Sequence, residues 1–154
     1  MVRAGCHRPS QTGAQTAAMK LYVYLNYGGN CEQAFRFYEQ HLGAKMTEIS
    51  RHGDVPNPSL PEGWSDKVLH ARIDIGGTVV MGADIPGDRF QPMRSAYLTL
   101  MLDSDDEAER IYALLADGGE VFMKMESTFF ASRFAMLRDK FGTSWMLLHE
   151  HSRA

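Results

Sequence analysis

Few side chains in this 154-residue sequence combine the chemistry and the spacing needed to act on a small molecule, and His70 leads them. Its imidazole titrates near neutral pH, so on a strand lining a cleft it would act as a general base or as a hydrogen-bonding anchor. The alternative is a partly buried histidine bonded to the sheet or to a loop. Tyr24, Trp64, Tyr97, Phe129 and Phe130 offer rings that stack on a planar or amphipathic ligand, and the same rings suit a core or a subunit interface. Met81, Met101, Met123, Met125, Met136 and Met146 fall mainly on predicted strands. Core is the expectation for most of them, and an adaptable pocket wall for Met146. Arg133 and Arg138 carry the paired donors that fit a carboxylate or a phosphonate. Arg133, beside the FFAS segment, is the candidate, against the alternative of a solvent-facing strand charge.

Other chemistries find less support. His149-Glu150-His151 suggests a metal cluster, but in a strand the two histidines share a face while the glutamate points away, and a frayed terminal segment is expected. Cys31 opens a predicted helix, where a thiolate is favoured, yet a small buried apolar side chain is its expected role. Cys6 and Cys31 form no C-x-x-C pair and no disulfide framework, which points to free thiols and a cytoplasmic location. G-x-S-x-G, G-x-G-x-x-G and G-x-x-x-x-G-K-[ST] are all missing, against hydrolase and nucleotide-dependent readings. A net charge of −3 and a pI near 6.0 provide no basic field for nucleic acid. No stretch approaches the roughly 18 apolar residues that span a bilayer.

The elements that would position these residues occur twice. After residues 1–18, read as a disordered N-terminal tail, LYVYLNY is a β-branched and aromatic run broken by Gly28-Gly29. Asn30 and Gln33 resemble a capping pair for a helix with Ala34, Phe35, Tyr38 and Leu42 on one face, stopped by Gly43. Lys45–Ser50 is a strand. After the sixteen-residue loop Arg51–Asp66, which holds Trp64, Lys67–Ile75 alternates, with Val68, His70, Arg72 and Asp74 on one side and Leu69, Ala71, Ile73 and Ile75 on the other. Gly76-Gly77 turns the chain into Thr78–Ala83. The linker from Asp84 to Met93 follows, and the order returns: a strand over Ser95–Asp103, a helix capped by Ser104 with Glu107, then strands over Glu120–Met125, Ser132–Asp139 and Ser144–Glu150. The Gly-Thr pairs of the two hairpins, Gly77-Thr78 and Gly142-Thr143, mark the repeat. Two such units, residues 20–84 and 94–150, imply a single α+β domain over 19–151, with two curved half-sheets around a cleft.

YLNYGGNCEQAFRFYEQHLGA, DKVLHARIDIGGTVVMGAD and FFASRFAMLRDKFGTSWMLLHE resemble, in order, the corresponding blocks of PhnB-like proteins, a branch of the vicinal-oxygen-chelate superfamily of glyoxalases, bleomycin-resistance proteins and dioxygenases. The resemblance implies two βαβββ modules forming a curved mixed sheet around a small-molecule cleft, and a homodimer in which the proline-rich loop is either a lid or an arm gripping the second subunit. In metal-using members, ligands project inward from the first and last strands of each module. Here that pattern falls on Val23 or Tyr24, on Tyr97 and on Met146, none of them a good ligand for a divalent ion. No cofactor is therefore expected, and a metal-free small-molecule-binding protein is the first reading. The ligand-binding set is Tyr24, Trp64, His70, Tyr97, Phe130, Arg133 and Met146, with His70 as any catalytic group. A metal-dependent lyase or dioxygenase is the alternative, because a one-residue slip in strand register would bring different side chains to the cleft.

Overall fold

Each half of the chain buries one face of a sheet under its own helix. The computed structural model describes residues 19–152, and the expected N-terminal tail lies outside them. In the first half, β1 (Val23–Tyr27) leads to α1 (Cys31–His41), β2 (Lys45–Arg51), β3 (Val68–Ile75) and β4 (Thr78–Asp84). In the second, β5 (Leu98–Met101) leads to α2 (Asp105–Ala116), β6 (Glu120–Glu126), β7 (Ala131–Arg138) and β8 (Ser144–Glu150). The sheet orders are β1-β4-β3-β2 and β5-β8-β7-β6, and β1 and β5 run parallel to β4 and β8 respectively. The chain is therefore a repeated βαβββ unit of the α+β class.

The alternation along β3 has the expected effect over most of its length. Ala71, Ile73 and Ile75 are buried, while His70, Arg72 and Asp74 are half-buried on the opposite face. Val68 departs from the pattern and is buried, at the irregularity where β2 shifts register between Ser50 and Arg51. Cys31, Ala34, Phe35 and Tyr38 form the buried stripe of α1, and Ala108, Ile111 and Leu115 that of α2. At about 1.5–3 kcal/mol for each large side chain removed from water, these stripes hold the helices to the sheets. At Gly82 on β4 a Cβ would lie 2.7 Å from Phe35 Cζ and 3.1 Å from Cys31 Sγ, so the absence of a side chain lets α1 sit directly on the strand.

Two helix starts are built differently. Ser104 caps α2 as expected, its Oγ accepting from the Glu107 N–H at 3.1 Å. Asn30 makes no side-chain cap on α1; it donates instead to the Phe141 carbonyl at 3.2 Å. The cap comes from the other end of the module, where the Asp84 carboxylate accepts from the Gly29, Cys31 and Val68 N–H groups. The fifth strand, Leu98–Met101, is shorter than Ser95–Asp103, and Ser95 itself takes a positive φ of 54°, outside the extended region.

The halves meet through buried polar groups. Tyr27 and Tyr38 of the first half both bond to Thr143 Oγ1 at 2.8 Å. Tyr38 Oη and Trp145 Nε1 donate to one oxygen of buried Asp139, and the Phe141 and Thr143 N–H groups donate to the other. Phe37 meets Phe141 edge-on at 5.4 Å.

Candidate functional site

Register places the open faces of the two sheets in matching rows. Across the first sheet, Tyr24 pairs with Met81, Met81 with Arg72, and Arg72 with Glu48. Across the second, Thr99 pairs with Met146, Met146 with Met136, and Met136 with Met123. Met81 and Met146 follow the two Gly-Thr turns by the same interval, so Tyr24 and Thr99 occupy equivalent places on β1 and β5. Tyr97 does not: it lies one residue before β5, so the fifth-strand position expected for Tyr97 belongs to Thr99.

Tyr24 and His70 are brought together. Their rings stack at 5.9 Å with an interplanar angle of 29°, and the tyrosine hydroxyl lies 3.5 Å from His70 Nδ1. Tyr24 is half exposed, and partial desolvation raises its hydroxyl pKa, with a smaller contribution from Cys31. Beside this pair, a cavity of about 430 Å³ lies between β1 and the segment entering β5, lined by residues that include Tyr24, Asn26, Met93 and Tyr97. Tyr97 in turn meets Phe122 edge-on at 6.5 Å. Arg72 flanks the pair with its guanidinium 5.2 Å from the Tyr22 ring, and its Nε is buried with no partner among the described residues. The β3 alternation already placed Arg72 beside His70, which was the available signal for it.

The other candidates lie elsewhere. Trp64 packs against His52 at 6.0 Å, near the turn after β1, and its loop is closed at the base by Gly53 N–H to Ser65 O and His52 N–H to Lys67 O. Phe130 stacks edge-on between Phe129 and Phe134 in the turn between β6 and β7. Arg133 is turned toward α2, where it pairs with Glu109 at 3.0 Å and Asp105 at 3.5 Å in a partly exposed cluster, so it is not a group on the open face. Met146 is half-buried on the open face, as are Met81 and Met136; Met101 and Met123 are exposed and only Met125 is buried, so the methionine strands are wall more than core. His149 does not fray: its Nδ1 lies 2.8 Å from Asp105 Oδ1 and 3.0 Å from Ser132 Oγ. Cys31 is a buried free thiol whose pKa is pushed up by burial and then by the Asp84 and Glu32 charges.

The inward positions of the first and last strands thus carry a phenol, two thioethers and a hydroxyl, in Tyr24, Met81, Met146 and Thr99. That set does not match the imidazole and carboxylate donors that hold a hard or borderline divalent ion. Among the described residues, no three His, Cys, Asp or Glu side chains are placed to share a metal.

Residues 23–147 match the profile of the Glyoxalase/Bleomycin resistance protein/Dioxygenase superfamily, and the chain belongs to that superfamily. Within this vicinal-oxygen-chelate superfamily, the chain sits in the PhnB-like branch to which its sequence blocks pointed. Protein YjdN of Escherichia coli (strain K12) is 32% identical over 143 residues, spanning 84% of this chain and 94% of its own length. The crystal structure of PA1353 from Pseudomonas aeruginosa superposes with a TM-score of 0.77 at 36% identity, covering 88% of this chain and 100% of that one. A Bacillus cereus PhnB protein, described as a putative 3-demethylubiquinone-9 3-methyltransferase, gives 0.73 at 26% identity, with 85% and 99% covered. The fosfomycin resistance protein FosX of Listeria monocytogenes shares the fold, at 14% identity and a TM-score of 0.58 over 88% of this chain and 96% of its own.

Proposed function

We propose that this protein binds a small amphipathic organic molecule, without a metal, in the cavity between β1 and the entry to β5. The observation that carries the reading is a cavity walled by Tyr24 and Tyr97, with His70 stacked on Tyr24 outside the lining. Aromatic faces would hold a flat apolar portion of the ligand. The His70 imidazole, whose Nδ1 makes only a long contact with Tyr24, would take a polar group at the ligand's edge. Methyl transfer, the activity in the description of the Bacillus cereus protein, finds no methyl-donor-binding pattern in this sequence.

Elemental analysis of the purified protein, together with thermal-shift screening of ligands and of Zn²⁺, Mn²⁺, Fe²⁺ and Ni²⁺, tests the proposal, because a ligand that binds only the folded state raises the melting temperature. Absence of stoichiometric metal is expected, as are ligand shifts that shrink in Tyr24→Ala and Tyr97→Ala while the ligand-free melting temperature moves little. A stoichiometric metal lost on His70→Ala would overturn it in favour of a metal-dependent lyase or dioxygenase, the reading for which His70 is the one open-face imidazole among the described residues. Exposed Phe122, Phe129 and Phe130 support the further expectation of a homodimer, to be read by light scattering.

A further inference from the structure

A second cavity, of about 660 Å³, opens at the seam between the halves and shares no lining residue with the cavity beside Tyr24. It lies among the turn after β1, the start of β3, the linker, the α2–β6 turn and the β7–β8 turn, and three cationic side chains line it: Lys67, Arg138 and Lys140.

The two lysines are compensated less than the arginine. Lys67 Nζ donates to the Gly29 carbonyl at 2.9 Å, and Lys140 Nζ rests over the rings of Phe37 and Phe141 at 5.1 and 5.3 Å. Neither lysine has a carboxylate within salt-bridge distance among the described residues. Arg138 donates to the Met93 carbonyl at 3.1 Å, lies 3.9 Å from the exposed carboxylate of Glu120, and keeps a buried Nε without a partner among the described residues. Asp139 and Glu120 also line the cavity; both oxygens of Asp139 are already committed to donors, and Glu120 is the exposed partner of Arg138. Three cations against two carboxylates leave the concavity with a positive excess, which favours an anion. Phe90, Pro92 and Phe141 supply apolar wall beside the charges.

We propose that this seam cavity is a binding site for a phosphate dianion, free or esterified to a small organic group. Lys67 and Lys140 act as point charges on the phosphate oxygens and Arg138 as a forked donor. The apolar wall takes the ester substituent.

Isothermal titration calorimetry of the full chain with inorganic phosphate and with phenyl phosphate, against chloride at matched ionic strength, tests the site. Saturable binding is expected for at least one of the two, weakened on the order of tenfold or more in Lys67→Met/Lys140→Met and unchanged in Tyr24→Ala. Tighter binding of phenyl phosphate would assign the site to an ester, and equal or weaker binding to the free anion. Lys140 is exposed, so Lys140→Met alone gives the answer should the double variant lose its circular dichroism signal. No binding above chloride, affinity unchanged by the lysine substitutions, or loss of binding in Tyr24→Ala would overturn the proposal.

Discussion

Asp139 and Asp84 show how much of this molecule depends on single carboxylates. Asp139 collects two side-chain and two backbone donors, among them groups from α1 and β8. An amide in its place would keep the volume but turn an –NH₂ toward a donor. Asp139→Asn is therefore expected to cost about 2–4 kcal/mol, since hydrogen bonds to a charged group contribute about 1.5–3 kcal/mol. A lower urea midpoint with an unchanged slope would bear this out, and an unchanged midpoint would refute it. None of this was legible in the sequence, because Tyr38 and Asp139 stand 101 positions apart and no local pattern links them. His70 and Tyr24 were singled out by residue type and strand position, and the structure places them side by side. Arg133 attracted attention for the same kind of reason, yet Glu109 and Asp105 on α2 hold it.

At the scale of elements, periodicity was an adequate guide where a segment has one buried face. The β3 alternation, the Ser104 cap and the β8 span Ser144–Glu150 all read directly from the residues. The start of β5 did not, since no periodic signal announces the left-handed turn at Ser95. Thr99, and not Tyr97, stands opposite Met146. The α1 cap was equally hidden, because its acceptor, Asp84, lies at the end of β4. The contact of α1 with β4 gives a test at this scale. Gly82→Ala pushes a methyl group into Phe35 and the Cys31 sulfur, and is expected to destabilise the fold by about 1–3 kcal/mol, the usual cost of overpacking. Pairing it with Phe35→Leu, which clears the nearest atom, should return part of that loss; equal loss in both backgrounds would place the strain elsewhere.

For the whole molecule, the buried hydroxyls and thiol between helix and sheets set a limit on the alkaline side. Burial raises the pKa of Cys31, Tyr27 and Tyr38, so the folded state retains protons that the unfolded chain releases. Unfolding free energy should therefore hold steady up to the ordinary thiol range near pH 8.5, then decline, and decline more steeply above about pH 10 as tyrosines ionise in the unfolded chain. Denaturant melts across pH 7–11 would show this, and in Cys31→Ala the decline should begin only in the tyrosine range. An onset unchanged by that substitution would exclude the thiol as its source.

The two open-face rows also differ in their response to an oxidant. The first sheet presents a phenol, one thioether, a guanidinium and a carboxylate, whereas the second presents thioethers on three of its four strands, at Met146, Met136 and Met123. Peroxide turns a thioether into a polar sulfoxide, and methionine sulfoxide reductases reverse the change. One wall of the protein is therefore chemically erasable while its counterpart is largely durable. Peptide mass spectrometry after brief peroxide treatment should find exposed Met101 and Met123 oxidised before buried Met125.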